Sequence, residues 1–118
     1  MTDLEDRVLD ILRSLTPGEV VSYGDVAEDA GFPGRARAVG RILALTAEPV
    51  PWWRVVTSTG RLVPGHESKQ ASRLRSEGVV VRDGRVVAAP VGRFGRTDRR
   101  EENQRADEPA MQYGEVDR

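Results

Sequence analysis

Two tryptophans stand side by side in Pro51-Trp52-Trp53-Arg54-Val55-Val56, and the 118-residue chain has no others. An indole makes no covalent bonds in ordinary protein chemistry. It stacks on flat groups, packs on apolar ones and donates one hydrogen bond from its N–H. The chemistry on offer is therefore binding, with core packing as the plainer use of the same rings. Pro51 marks a junction, because proline is excluded from helix interiors and central strands, and the β-branched pair after Arg54 suits a strand. Composition removes other chemistries. There is no cysteine, hence no disulfide, no thiolate nucleophile and no thiolate metal site. His66 is the single histidine, so a zinc site would need carboxylates almost alone. Neither a metal nor a cofactor is expected.

Charge is unevenly spread behind a formal net value of −1. Residues 1–34 carry eight acidic and two basic side chains, whereas residues 35–91 carry ten basic and four acidic ones. A field depends on where charges sit, so a near-neutral total is compatible with a face that binds a polyanion, and also with chance segregation of solvated charge.

The elements that must position these groups are mostly helical. Leu4, Val8, Ile11, Leu12 and Leu15 recur at helical spacing, Thr2 and Glu5 fit a capping box, and Thr16-Pro17-Gly18 ends the helix. Val20-Val21 is a short extended link. Ser22 caps a second, brief helix with Asp25 three residues on, and Gly31 suits the position just past its end. A third helix from about Arg35 to Ala47 follows Phe32-Pro33-Gly34. Short helix, glycine turn and helix together suggest a helix-turn-helix. At about 100° per residue, Ala36, Val39, Ile42 and Leu43 share one face of the third helix while Arg37, Gly40, Arg41 and Ala44 share the other. A helical glycine costs about 1 kcal/mol relative to alanine. Gly40 lies opposite the apolar face, between two arginines, which favours close approach of a phosphate backbone over close helix packing.

A further helix is expected from near His66 to Glu77. Val79 to Val87 reads as a β-hairpin turning at Asp83-Gly84. The expected fold is mainly α, helix-turn-helix or winged-helix-like, with a small C-terminal β-hairpin, in one domain over residues 1–91. Residues 92–118 hold six basic and seven acidic residues with few aliphatic ones, and are expected to be a disordered charged tail. The acidic start Met1-Thr2-Asp3-Leu4-Glu5-Asp6 is unlike a secretory signal, and no apolar run approaches the about 20 residues of a membrane span. A cytoplasmic protein is expected.

Four segments resemble, in order and spacing, the DNA-binding domain of the O6-alkylguanine-DNA alkyltransferases: Val20-Val21-Ser22-Tyr23-Gly24-Asp25-Val26-Ala27, Ala36-Arg37-Ala38-Val39-Gly40, Pro51-Trp52-Trp53-Arg54-Val55-Val56 and Leu74-Arg75-Ser76-Glu77-Gly78-Val79. The likeness covers residues 1 to about 90. In those enzymes the third segment reads Pro-Cys-His-Arg-Val, and its cysteine takes the alkyl group from the damaged base. Trp52 stands in the cysteine's place, so the chain looks like an alkyltransferase-like protein.

The resemblance implies specific roles. Arg37 matches the arginine finger that fills the stack left by an extruded nucleotide, and Tyr23 matches the tyrosine that crowds the target phosphate. Arg35, Ala36, Gly40 and Arg41 fall on the helix that lies along the minor groove, and Gly24, Arg54 and Ser58 fall near DNA. A lesion pocket is expected from Tyr23, Trp52, Trp53, Val55 and Glu77. Within it, the main-chain carbonyls of Trp52 and Val55 face the guanine amino group. Trp53 departs from the usual histidine; its N–H could donate to Glu77, but indole accepts no proton. The loop from Gly60 to Lys69 does not align residue by residue, leaving Arg61 and His66 as candidates to close the pocket. Where relatives often end the third helix with asparagine, this chain has Ala47-Glu48.

The implied function is recognition without repair. A monomer binds double-stranded DNA, flips O6-alkylguanine out of the helix, transfers no alkyl group and flags the lesion for nucleotide excision repair proteins. The alternative is a helix-turn-helix transcriptional regulator reading the major groove, with its tryptophans in the core. A protein-interaction module that has abandoned DNA is a third class.

Overall fold

The computed structural model describes residues 3–95. Its elements run α1 (Asp3–Ser14), β1 (Glu19–Ser22), α2 (Tyr23–Asp29), α3 (Ala36–Leu45), a 3-10 turn (Trp52–Arg54), β2 (Val55–Val56), α4 (Glu67–Ser76), β3 (Val80–Arg82), β4 (Arg85–Ala88) and β5 (Val91–Gly92). Among the described residues the fold is mainly α, with a small hairpin near the end, as expected.

The local signals explain where the elements begin and end. Val8, Leu9, Leu12 and Leu15 are buried, and Leu4 and Ile11 pack against the same cluster. Thr2, half of the expected capping box, lies outside the described residues. At α2 the capping box is complete: Ser22 Oγ accepts from the Asp25 N–H at 3.0 Å, and Asp25 Oδ2 accepts from the Ser22 N–H at 3.0 Å. α3 stops at Leu45 because Thr46 turns to an extended conformation, and Thr46 Oγ1 accepts from the Glu48 N–H at 3.1 Å. Threonine thus supplies the helix-ending side chain that the sequence lacks at Ala47-Glu48. Asp83 and Gly84 both have positive φ, 52° and 73°, as a two-residue hairpin turn demands.

Val20-Val21 is more than a link. β1 pairs in parallel with β2 on one side and β5 on the other, through Val21↔Val55, Ser22↔Val56, Glu19↔Val91 and Val20↔Gly92. Successive strand residues face opposite ways, and the two cores show it. Val21 and Val55 join the cluster of α1, α2 and α3, whereas Val20 and Val56 join the cluster of α4 and the hairpin. This strip of sheet divides the helix-turn-helix layer from the rest.

The boundary expected after residue 91 is corrected by β5. Gly92 (φ +93°) packs so closely on β1 that a Cβ there would lie 2.4 Å from the Val20 carbonyl oxygen. The Arg93 N–H donates to the Val20 carbonyl at 3.0 Å, and Phe94 packs on the second core. The folded part therefore reaches at least Gly95. Residues 96–118, which hold most of the expected tail, lie outside the described residues.

Candidate nucleic-acid interface

The 3-10 turn separates the two tryptophans. Pro51 starts it, the Arg54 N–H donates to the Pro51 carbonyl at 3.1 Å, and the Val55 N–H closes it on the Trp52 carbonyl. A 3-10 turn has about three residues per turn, so three successive side chains leave in three directions. The two indoles meet edge to face, with centroids 6.2 Å apart and planes at 89°.

Arg54 goes inward. It is 9% exposed. Its Nε and Nη2 donate to Glu77 Oε1 and Oε2 at 3.0 and 2.7 Å, and Nη1 donates to the Leu15 carbonyl at 2.9 Å. The expectation that Arg54 contacts DNA is corrected: its guanidinium is consumed in tying α1, the 3-10 turn and the end of α4 together. Glu77 also accepts from the Gly18 N–H at 2.9 Å and from Trp53 Nε1 at 2.9 Å. Burial raises its pKa, but the Arg54 hydrogen bonds, those from Gly18 and Trp53, and the Arg54 charge outweigh it, holding the carboxyl at about 2.

Trp53 fills the space above this hub. The guanidinium groups of Arg54 and Arg73 lie 5.2 and 4.7 Å from its ring centroid, and the ring packs on the second core. It also borders a groove with Pro49, Pro51 and Trp52. Val55 is fully buried in the first core. Among the expected pocket residues, the side chains of Trp53, Val55 and Glu77 thus lie in the hub and the cores behind the turn. The carbonyl of Val55 accepts from Gln70 Nε2 at 3.2 Å and that of Trp52 from the Val55 N–H, which uses one acceptor position on each oxygen.

Trp52 and Tyr23 do meet at a cleft. With Gly40, Leu43, Ala44, Val63, His66 and Lys69 they enclose about 350 Å³, at the small end of the roughly 300–1,000 Å³ typical of ligand sites. α2 and α3 form one side, and the loop before α4 with its first turn forms the other. The His66 ring lies 6.0 Å from Trp52 at 66°. His66 is thus the candidate that borders the cleft, while Arg61 pairs with Arg85 beside the hairpin. Half-burial raises the Tyr23 pKa, so its phenol stays protonated and able to donate.

The outer face of α3 continues from this cleft. Val39 is buried and Ile42 and Leu43 pack on the first core, whereas Arg35, Arg37, Arg41 and Ala44 are exposed. Among the described residues none of these arginines has an ion-pair partner. They line a neighbouring depression of about 430 Å³ with Leu4, Glu5, Ala38 and Ile42. Ala36 and Gly40 are half-buried on the same helix, Gly24 lies in the first turn of α2, and Ser58 is exposed on the turn after β2. A Cβ on Gly40 would sit 3.9 Å from the Tyr23 ring, an ordinary contact, so the fold itself leaves room for a larger residue.

Leu43, Val63, Lys69 and Gln70 are not legible as site residues in the sequence. Leu43 reads as core, and the loop carries no motif. Gln70 is fully buried: its Oε1 accepts from the Val63 N–H at 2.7 Å, and its Nε2 donates to the carbonyls of Trp53 and Val55 at 3.1 and 3.2 Å. It braces one wall of the cleft against the turn that carries the other.

Residues 3–79 match the family model described as 6-O-methylguanine DNA methyltransferase, DNA binding domain. The chain is 34% identical over 79 residues to a DNA base-flipping protein of Vibrio parahaemolyticus, covering 64% of this chain and 79% of that one. It is 34% identical over 87 residues to alkyltransferase-like protein 1 of Schizosaccharomyces pombe, covering 69% and 81%. The crystal structure of S. pombe Atl1 in complex with damaged DNA containing O6-carboxymethylguanine superposes with a TM-score of 0.64 at 32% identity, over 70% of this chain and 82% of that one. With the matched region spanning all four helices and the Trp52 turn, the chain belongs to the family of the 6-O-methylguanine DNA methyltransferase DNA-binding domain.

Proposed function

We propose that this protein recognises O6-alkylguanine in duplex DNA by flipping the base into the Trp52 cleft, and that it does so without removing the alkyl group. The carrying observation is the juxtaposition of a Trp52-walled cleft with α3 arginines that have no ion-pair partner among the described residues, in a chain with no thiol. α3 lies along the minor groove, and Arg37 enters the stack as the nucleotide leaves. Tyr23, at the mouth of the cleft, crowds the phosphate beside it. Extrusion costs a few kcal/mol, less for a badly paired base, which biases the protein toward lesions before any pocket contact forms. Indole against purine contributes about 1–3 kcal/mol and tolerates varied alkyl groups. A monomer acts in the cytoplasm, and the distorted complex it holds is handed to nucleotide excision repair.

The test is binding to matched duplexes that differ only by guanine or O6-methylguanine at one position, in several flanking sequences and at several salt concentrations. Lesion preference independent of flanking sequence, lost in Arg37→Ala, supports this function. Strong sequence dependence without lesion preference points instead to a transcriptional regulator, and no DNA binding to a protein-interaction module. Affinity should fall steeply with salt because phosphate contacts dominate it.

A further inference from the structure

The outer face of α3 is cationic. Arg35, Arg37 and Arg41 have no ion-pair partner among the described residues, and the depression they line carries one carboxylate, Glu5, beside the apolar Leu4, Ala38 and Ile42. Three guanidinium groups against one carboxylate attract an anion. The chain itself holds a segment of matching character. Residues 96–106 carry four basic and three acidic side chains, whereas residues 107–117 carry four acidic and no basic ones, set around Pro109, Ala110, Met111 and Tyr113. This second half joins negative charge to apolar groups, as the α3 depression joins positive charge to them.

The point where the chain leaves the described fold brings the two within reach. The Arg93 N–H donates to the Val20 carbonyl at 3.0 Å, and its guanidinium meets Asp25 of α2 at 3.6 Å. α2 packs on α3, so that a Cβ on Gly40 would lie 3.9 Å from the Tyr23 ring. The chain is thus handed on beside α2, one helix away from the arginines. Residues 96–106 can span at most about 36–40 Å, several times the roughly 8–10 Å between packed helix axes. We infer that residues 107–117 dock on the arginine face of α3 and compete there with DNA. Tethering places the segment at a local concentration in the millimolar range, at which exposed ion pairs of modest strength hold it. A competitor that must leave before any duplex lands weakens guanine and O6-alkylguanine duplexes by the same factor. It sets how tightly the protein holds DNA and leaves the choice of base to the cleft. This inference rests on α3 being the DNA-binding face proposed above.

In the full chain, Asp107→Asn, Glu108→Gln, Glu115→Gln and Asp117→Asn are combined, and a second variant reorders residues 96–118 so that the same side chains intermix their charges. Each is titrated with matched guanine and O6-methylguanine duplexes at low and high salt. If the segment covers α3 for about 70–90% of the time, its loss should tighten binding of both duplexes about three- to tenfold, with the gap closing at high salt and the lesion preference unchanged. The reordered variant should bind more tightly in the same way. Equal affinity of the reordered variant and wild type would reduce the effect to net charge and overturn the inference. Weaker binding by the neutralised variant would overturn it too, by marking the segment as a DNA contact. Docking is read directly by a spin label on Gln112→Cys, which supplies a unique thiol in a chain that has none. The label should broaden the amide signals of Arg37 and Arg41 in the free protein and release them when duplex is added. Absence of that broadening, or broadening that grows with protein concentration, overturns docking within one chain. Failure of every variant to bind any duplex would sink the DNA-binding function, and the competition with it, while the label still decides the docking.

Discussion

Replacing Gly40 with alanine should pull stability and binding in opposite directions. The new methyl group would meet the Tyr23 ring at 3.9 Å, an ordinary contact, and α3 would gain the about 0.5–1 kcal/mol by which alanine exceeds glycine inside a helix. For a domain of this size each kcal/mol shifts the melting temperature by about 4–8 °C, so the free protein should melt roughly 2–8 °C higher. The same methyl group projects from the face that carries Arg37 and Arg41. If the DNA backbone lies against Gly40, it must move out or the methyl must be accommodated under strain, at about 1–3 kcal/mol. That corresponds to about a five- to 150-fold loss of affinity. Thermal melting of the free protein and anisotropy titration of lesion duplexes measure the two terms separately. A raised melting temperature with unchanged affinity would show that α3 does not lie against DNA at Gly40. A lowered one would show that the glycine serves the fold.

Trp52→Ala should reduce the preference for alkylated over normal guanine by roughly the 1–3 kcal/mol of a base–aromatic contact, measured as a ratio of dissociation constants; an equal loss for both duplexes would make Trp52 structural. Acid should destabilise the fold through Glu77. A carboxyl held at about 2 against 4.5 unfolded contributes about 3 kcal/mol above pH 5, and this is lost as the pH falls from about 5 toward 2. Glu77→Gln should flatten that part of the pH–stability curve while starting lower, because Arg54 is left buried and unpaired. A denaturation midpoint with the same slope below pH 5 in both proteins would remove Glu77 as its source.

The elements that could be read from the chain are those whose causes are local. The Ser22–Asp25 capping box, the apolar stripe of α1 and the Asp83-Gly84 turn each depend on residues within a few positions of one another, so their signals survive without the fold. The parallel sheet does not have that property. β2 and β5 are two residues long, too short to show alternation, and their partner β1 lies more than thirty residues away from either. Gly92 shows why the boundary was misplaced: its role is visible only beside Val20. At the site, motifs pick out Tyr23 and Trp52, whereas charge in a sequence does not reveal that a carboxylate waits in the core for Arg54. Gln70 sits on a largely polar helix, and nothing local distinguishes a buried glutamine from its exposed neighbours Lys69 and Ser72.

The Glu77 hub also bears on whether restoring a thiol would restore transfer. The family's cysteine lies beside a histidine, a group able to pass a proton, with an acidic residue behind it. Here Trp53 takes the histidine's place and offers only a donor. Both Glu77 oxygens already accept, from Arg54, Gly18 and Trp53 together, and the low pKa of the carboxyl makes it a poor base at neutral pH. A cysteine introduced by Trp52→Cys would therefore keep an ordinary thiol pKa near about 8.5, with a small thiolate fraction at pH 7. Incubating Trp52→Cys with O6-methylguanine duplex should add no methyl group detectable by mass spectrometry at pH 7. Trp52→Cys combined with Trp53→His would rebuild the neighbour that can carry a proton to the Glu77 side, and any transfer should appear there first. Methyl transfer by the single variant at a rate equal to the double would refute the claim that Trp53 removes the base as effectively as Trp52 removes the nucleophile.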